Sequence, residues 1–113
     1  MSDDKLLELS AKAAGYHVRH LRGALGYFMS IDGFSRWNPI SDDGDAFRLS
    51  VKLGLFVDNE QERCGAVTVS WGCDAGGSHS GSIEEDAPEG GDDYAAARRA
   101  IVRAAAEIGK LMP

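Results

Sequence analysis

Two stretches of the chain repeat their apolar residues at helical spacing, and between them the repeat shortens to two. Leu6, Leu9 and Ala13 recur three to four residues apart, flanked by Leu7 and Ala14, while Lys5, Glu8 and Lys12 lie off that stripe. Ser2 is placed to cap this helix, Asp3 and Asp4 suit its N-terminal dipole, and Gly15 is a natural stop. Over residues 25–32 the period becomes two: Leu25, Tyr27, Met29 and Ile31 alternate with Gly26, Phe28, Ser30 and Asp32. Residues 16–21 predict a weaker partner strand, with Arg22-Gly23-Ala24 as the tight turn of a hairpin. Residues 33–39 read as a connector.

Helix signals return after Pro39. Ser41 or Asp42 is the cap, Asp43 and Asp45 fall in the first turn, and Phe47, Leu49, Val51 and Leu53 supply apolar bulk. Arg48 and Lys52 form a polar i,i+4 edge, and Gly54 ends the helix. Residues 55–57 and 66–71 predict a second hairpin around a polar turn at 58–63, with Val67, Val69 and Trp71 on one face. Residues 72–93 are Gly-rich and acidic and include Pro88; only residues 80–84 have the pattern of a short edge strand. Asp92 or Asp93 caps a third helix with Tyr94, Ala97, Ile101, Ala105 and Ile108 as its buried stripe and Ala104 and Leu111 adjoining. Its alanine-rich face allows close approach to a sheet. The order α-ββ-α-ββ-α predicts an α+β fold: one domain over residues 1–113, with an antiparallel sheet of about four strands packed with three helices.

Charge sharpens this picture. The 113 residues carry a net charge of −6, unevenly spread. Residues 72–93 hold 7 Asp/Glu and no Lys or Arg, whereas residues 94–113 hold 4 Lys/Arg and 1 Glu. An acidic loop thus precedes a basic helix. The overall sign argues against direct nucleic-acid binding, which needs basic surface to release counterions. No apolar run approaches the ~20 residues of a membrane span, and the acidic start predicts no signal peptide. Cys64 and Cys73 are too few for a disulfide framework; both are expected to be reduced, as in a cytoplasm. The loop over 74–90, with Ile83 as its one large apolar residue, is expected to be the most mobile segment.

Signals for chemistry are sparse. Asp42, Asp43 and Asp45 lack the alternating ligand order of a calcium loop, and capping accounts for them without a metal. His17 and His20 point to opposite faces of a strand; Cys73, Asp74 and His79, even with Cys64, lack the spacing of a zinc site. Ser78, His79 and Asp74 are too close in sequence for an oriented triad, and no nucleophile elbow is present. Gly76-Gly77 and Gly90-Gly91 lack the Lys-Ser/Thr of a phosphate loop. The expectation is a protein that is not an enzyme and uses neither metal nor cofactor.

Two segments carry a family likeness. One runs from Trp37-Asn38-Pro39-Ile40-Ser41-Asp42-Asp43-Gly44-Asp45-Ala46-Phe47-Arg48-Leu49 to Gly54; the other is the helix from Asp93-Tyr94-Ala95-Ala96-Ala97-Arg98-Arg99-Ala100-Ile101-Val102-Arg103 to Gly109. Together with the first helix ending Ala13-Ala14-Gly15, they resemble small proteins of proteobacterial phages and prophages built on the phage ABA-sandwich domain. Their motifs read W-N-P-L-x-D-D-G-D-A-L-R-L and D-x-Y-A-A-x-R-R-A-I-V-R. The likeness covers about half the chain. Ile40 and Phe47 stand where the motif has leucine, and residues 72–91 have no counterpart. The resemblance implies phage origin and an α/β/α sandwich-like arrangement, and it carries over no catalytic residues.

Small size, phage-like motifs and the acidic loop point to an accessory protein. It is expected to bind and block a host protein in the host cytoplasm, such as a nucleic-acid-binding immune complex, in the manner of an anti-CRISPR. Carboxylates can stand in for phosphates in a basic channel, which nominates Glu84, Glu85, Asp86 and Glu89. The rival expectation is a protein that sequesters a nucleotide signal, gripping phosphate with Arg98, Arg99 and Arg103 and stacking a base on Trp37 or Tyr94. A self-associating structural phage protein, a homo-oligomer, is the third. Trp37-Asn38-Pro39 has a plainer reading: Trp37 packs on the core and Pro39 sets the start of the helix.

Overall fold

The structure is a computed structural model that describes residues 2–16, 18–20, 27–29, 35–61, 65–72, 81–86 and 91–112. Among these residues three helices, α1 (Asp3–Ala14), α2 (Asp43–Leu53) and α3 (Asp93–Lys110), combine with antiparallel β-structure, so the α+β class is observed. The single sheet of about four strands is not. Six strands form two sheets of three: β1 (Val18–His20), β2 (Tyr27–Met29) and β3 (Ser35–Trp37), then β4 (Phe56–Glu60), β5 (Ala66–Trp71) and β6 (Gly81–Asp86). The order is therefore α-βββ-α-βββ-α.

The two extra strands differ in how far the hydrophobic pattern shows them. β3 has three residues, too few to show a period, and falls in the stretch read as a connector. β6 carries Ile83 as its one large apolar side chain and overlaps residues 80–84, the short edge-strand pattern within the acidic loop, extending it to Asp86. Its alternation is real but is one of burial. Gly81, Ile83 and Glu85 are half-buried, while Ser82, Glu84 and Asp86 are exposed. Backbone pairing with β5 creates this strand: Val67 faces Glu85 and Val69 faces Ile83. The expectation of one mobile loop over 74–90 is corrected for residues 81–86; its other residues, with Cys64 and Cys73, lie outside the described ones.

Local sequence sets the helix limits. Ser2 accepts from the Lys5 amide, Asp42 from Asp45, and Asp92 from Tyr94 and Ala95, each satisfying amides that have no partner within the helix. Gly15 and Gly54 close α1 and α2 at φ 74° and 63°, a left-handed turn that a β-carbon would strain.

α3 is the central element, packing on α1, α2, β5 and β6. It is buried on several sides: Ala100, Val102, Ala104, Ala105 and Ala106 have no exposed surface. The small-residue surface does allow close approach, and its tightest neighbour is a helix: a β-carbon on Gly109 would meet the backbone of Leu9 in α1. The expected stripe is corrected at both ends, because Tyr94 and Leu111 are 72% and 61% exposed. In α1 the buried set is Leu6, Leu7, Ser10, Ala11 and Ala14, with Leu9 and Ala13 half-buried. Val67 and Val69 complete the core from the sheet side.

Candidate functional site

The Trp37–Leu49 block is a device for starting a helix. Trp37 is 2% exposed and meets Tyr16 edge to face, ring centroids 5.9 Å apart. Asn38 Oδ1 accepts from the amides of Ile40 and Ser41, turning the chain around the buried Pro39. The three nearby carboxylates all have structural partners. Asp42 caps α2; Asp45 accepts from the Asn38 amide at 2.9 Å and lies 3.7 Å from Arg48; Asp43 receives Arg98 Nη1 at 2.6 Å. Among the described residues no three His, Cys, Asp or Glu side chains are grouped to hold a metal.

The arginines of α3 diverge. Arg98, 17% exposed, donates from Nε to the Ile40 carbonyl at 2.8 Å and from Nη1 to Asp43, with Asp92 at 4.0 Å from Nη2. It ties the N-terminal ends of α2 and α3 together. Arg99 reaches Asp3 of α1 at 3.2 Å, and Arg103 pairs with Glu85 of β6. The three guanidiniums thus face three different neighbours, each with a carboxylate. Trp37 is buried, and Tyr94 and Arg98 of the nominated nucleotide-binding set border one cleft, which Arg99 and Arg103 do not line.

The acidic residues divide by strand parity, which the loop reading could not anticipate. Glu85 lies on the inner face, 22% exposed, bonded to Arg103, whose Nη1 also approaches the Glu84 carbonyl at 3.4 Å. Glu84 and Asp86 are exposed on the outer face. Glu89 lies outside the described residues. Residues directly opposite in an antiparallel ladder share a face, so Glu84 stands with Thr68 and Asp58, and Asp86 with Ala66 and Glu60. The nine described strand positions of this outer face hold Asp58, Glu60, Glu84 and Asp86 and no lysine or arginine. Asp58 and Glu60, missed from the sequence, reach the set only through the β4–β5–β6 pairing. The two acidic rows are two strand spacings apart, about 9–10 Å, and repeat about every 7 Å along each strand.

Elsewhere, α2, α3 and β4 border an open cleft of about 590 Å³. Phe47 and Val51, part of the apolar bulk of α2 in the sequence, stand 68% and 63% exposed along it. The helix buries Ala46, Leu49 and Ser50 in their place. His17 and the loop residues Cys73, Asp74, Ser78 and His79 lie outside the described residues. No helix among the described residues is long and apolar enough to cross a membrane. Comparison with family models, curated proteins and solved structures yields no match to this chain.

Proposed function

We propose that this is a non-enzymatic phage accessory protein that binds and inhibits a host factor in the host cytoplasm, with the outer face of the β4–β5–β6 sheet as its contact surface. The observation that carries this reading is the clustering of Asp58, Glu60, Glu84 and Asp86 on one sheet face. Two rows of carboxylates on a rigid ladder offer a basic channel the charge pattern of a nucleic-acid backbone without its bases. Such complementarity raises association rate and selects basic partners. A nucleic-acid-binding immune complex is the partner class that fits, which makes counter-defence the role. The likeness of residues 37–54 and 93–109 to phage ABA-sandwich proteins supports phage origin and an α/β/α layering for the whole chain.

The nucleotide-sequestering reading is weaker, because Arg98, Arg99 and Arg103 are each engaged by carboxylates and do not converge. Affinity purification from a phage-infected host tests the proposal. A captured nucleic-acid-binding protein that is lost on Glu84→Ser and Asp86→Ser, and displaced by DNA or RNA, is the expected outcome. Capture indifferent to these charges defeats it.

A further inference from the structure

Of the six large hydrophobic side chains exposed among the described residues, three border one cleft: Phe47, Val51 and Tyr94. Phe47 and Val51 are i and i+4 on α2, so they form one ridge; Leu55, just before β4, and Ile101 of α3 line the cleft behind it. At about 590 Å³ the cleft is in the size range of binding sites, roughly 300–1,000 Å³. Grouped apolar exposure of this kind marks an interaction surface more often than scattered exposure does.

Charge says what kind of partner fits. The N-terminal ends of α2 and α3 meet at one end of the cleft: Asp43 lines it, Asp93 lines the adjoining hollow beside Tyr94, and Asp92 lies 4.0 Å from Arg98, all three exposed. Arg98 answers only part of that charge, and Arg48, further along α2, is beside Asp45. An anionic lipid surface would be repelled by this rim. A second copy would bring another net −6. An i,i+4 ridge beside a groove between helices accepts the ridge of another helix.

We infer that the α2–α3–β4 cleft binds a basic amphipathic helix of a partner protein, apolar anchors seated along Phe47, Val51 and Tyr94 and Lys/Arg flanks against the aspartates. This mode reads apolar residues at i, i+3 and i+4 and adds charge for selectivity. It is separate from the acidic sheet face, which lies on the outer side of β4.

The test uses the full chain and a labelled helical peptide of about 15 residues made of Leu, Ala and Lys, with leucines on one face. Expected is saturable binding that weakens with salt, falls about tenfold or more with Phe47→Asp or Val51→Asp, and persists with Glu84→Ser/Asp86→Ser. Circular dichroism checks that the variants remain folded, and Tyr94→Ser is a second probe of the same surface. A peptide with Glu for Lys, or one made non-helical by proline, should not bind. The inference is overturned if those control peptides bind equally, or if the sheet-face variant alone abolishes binding. It is also overturned if native mass shows a dimer that Phe47→Asp dissociates, since the cleft is then covered by a second copy. Host-protein capture that is indifferent to Glu84→Ser/Asp86→Ser, with cleft binding intact, would sink the proposed function and leave this inference standing.

Discussion

A β-carbon on Gly109 would collide with the carbonyl oxygen of Leu9. α3 and α1 therefore touch backbone to backbone at this point, and a glycine is the only residue that lets them. In an exposed helix interior, Gly→Ala would stabilise by about 1 kcal/mol. Here the added methyl meets main chain that cannot rotate away, so overpacking wins. Gly109→Ala should lower stability by about 1–3 kcal/mol, read as a fall in the urea midpoint at unchanged slope.

Gly81 stands opposite Trp71 in the β5–β6 ladder, and its β-carbon would lie 2.5 Å from Trp71 Cζ2. The indole fills the space a side chain would need. Gly81→Ala should displace the ring and loosen the register of β6, changing tryptophan emission and costing about 1–3 kcal/mol. Unaltered emission and an unaltered midpoint would show that the ring moves freely.

Arg98 serves the Ile40 carbonyl and two carboxylates with one planar fork. Truncation leaves a partly buried carbonyl without that donor, so Arg98→Ala should cost about 1–2 kcal/mol. Arg98→Lys should recover little, because an ammonium cannot span the same acceptors. Thermal unfolding of both variants decides this.

Neighbouring acids on β6 should behave in opposite ways. Glu84→Ser and Asp86→Ser remove exposed carboxylates and should leave stability within about 0.5 kcal/mol of the parent. Glu85→Ala leaves Arg103 without its half-buried partner and should cost about 1–2 kcal/mol. A loss of stability with Glu84→Ser equal to that with Glu85→Ala would refute the strand parity assigned here.

Trp37 is core, against Tyr16, at the point where β3 leads into α2. Trp37→Ala should destabilise by about 3–5 kcal/mol. A nucleotide added to the parent protein should leave Trp37 emission unmoved.

Helix starts and stops were legible in the sequence because capping is local chemistry. A Ser or Asp side chain reaches an amide two or three residues on, and a glycine adopts the left-handed turn, whatever lies elsewhere in the fold. Ser2, Gly15, Asp42, Gly54 and Asp92 all act within a few residues of themselves. The alternation in Val67 and Val69 was legible too, since both are driven into the core on one face. Tertiary structure decided the rest. β6 showed in the sequence only as a short edge pattern over residues 80–84; pairing with β5 sets its extent and its faces, and so turned a run of acids into an inner Glu85 and an outer Glu84 and Asp86. The same pairing brought Asp58 and Glu60 from β4 to that face. Phe47 and Val51 have the character of core residues, yet α2 turns another side inward, against α3. Hydrophobicity states what a residue would gain by burial; which face is buried depends on where the neighbouring elements lie, and that is a property of the whole fold.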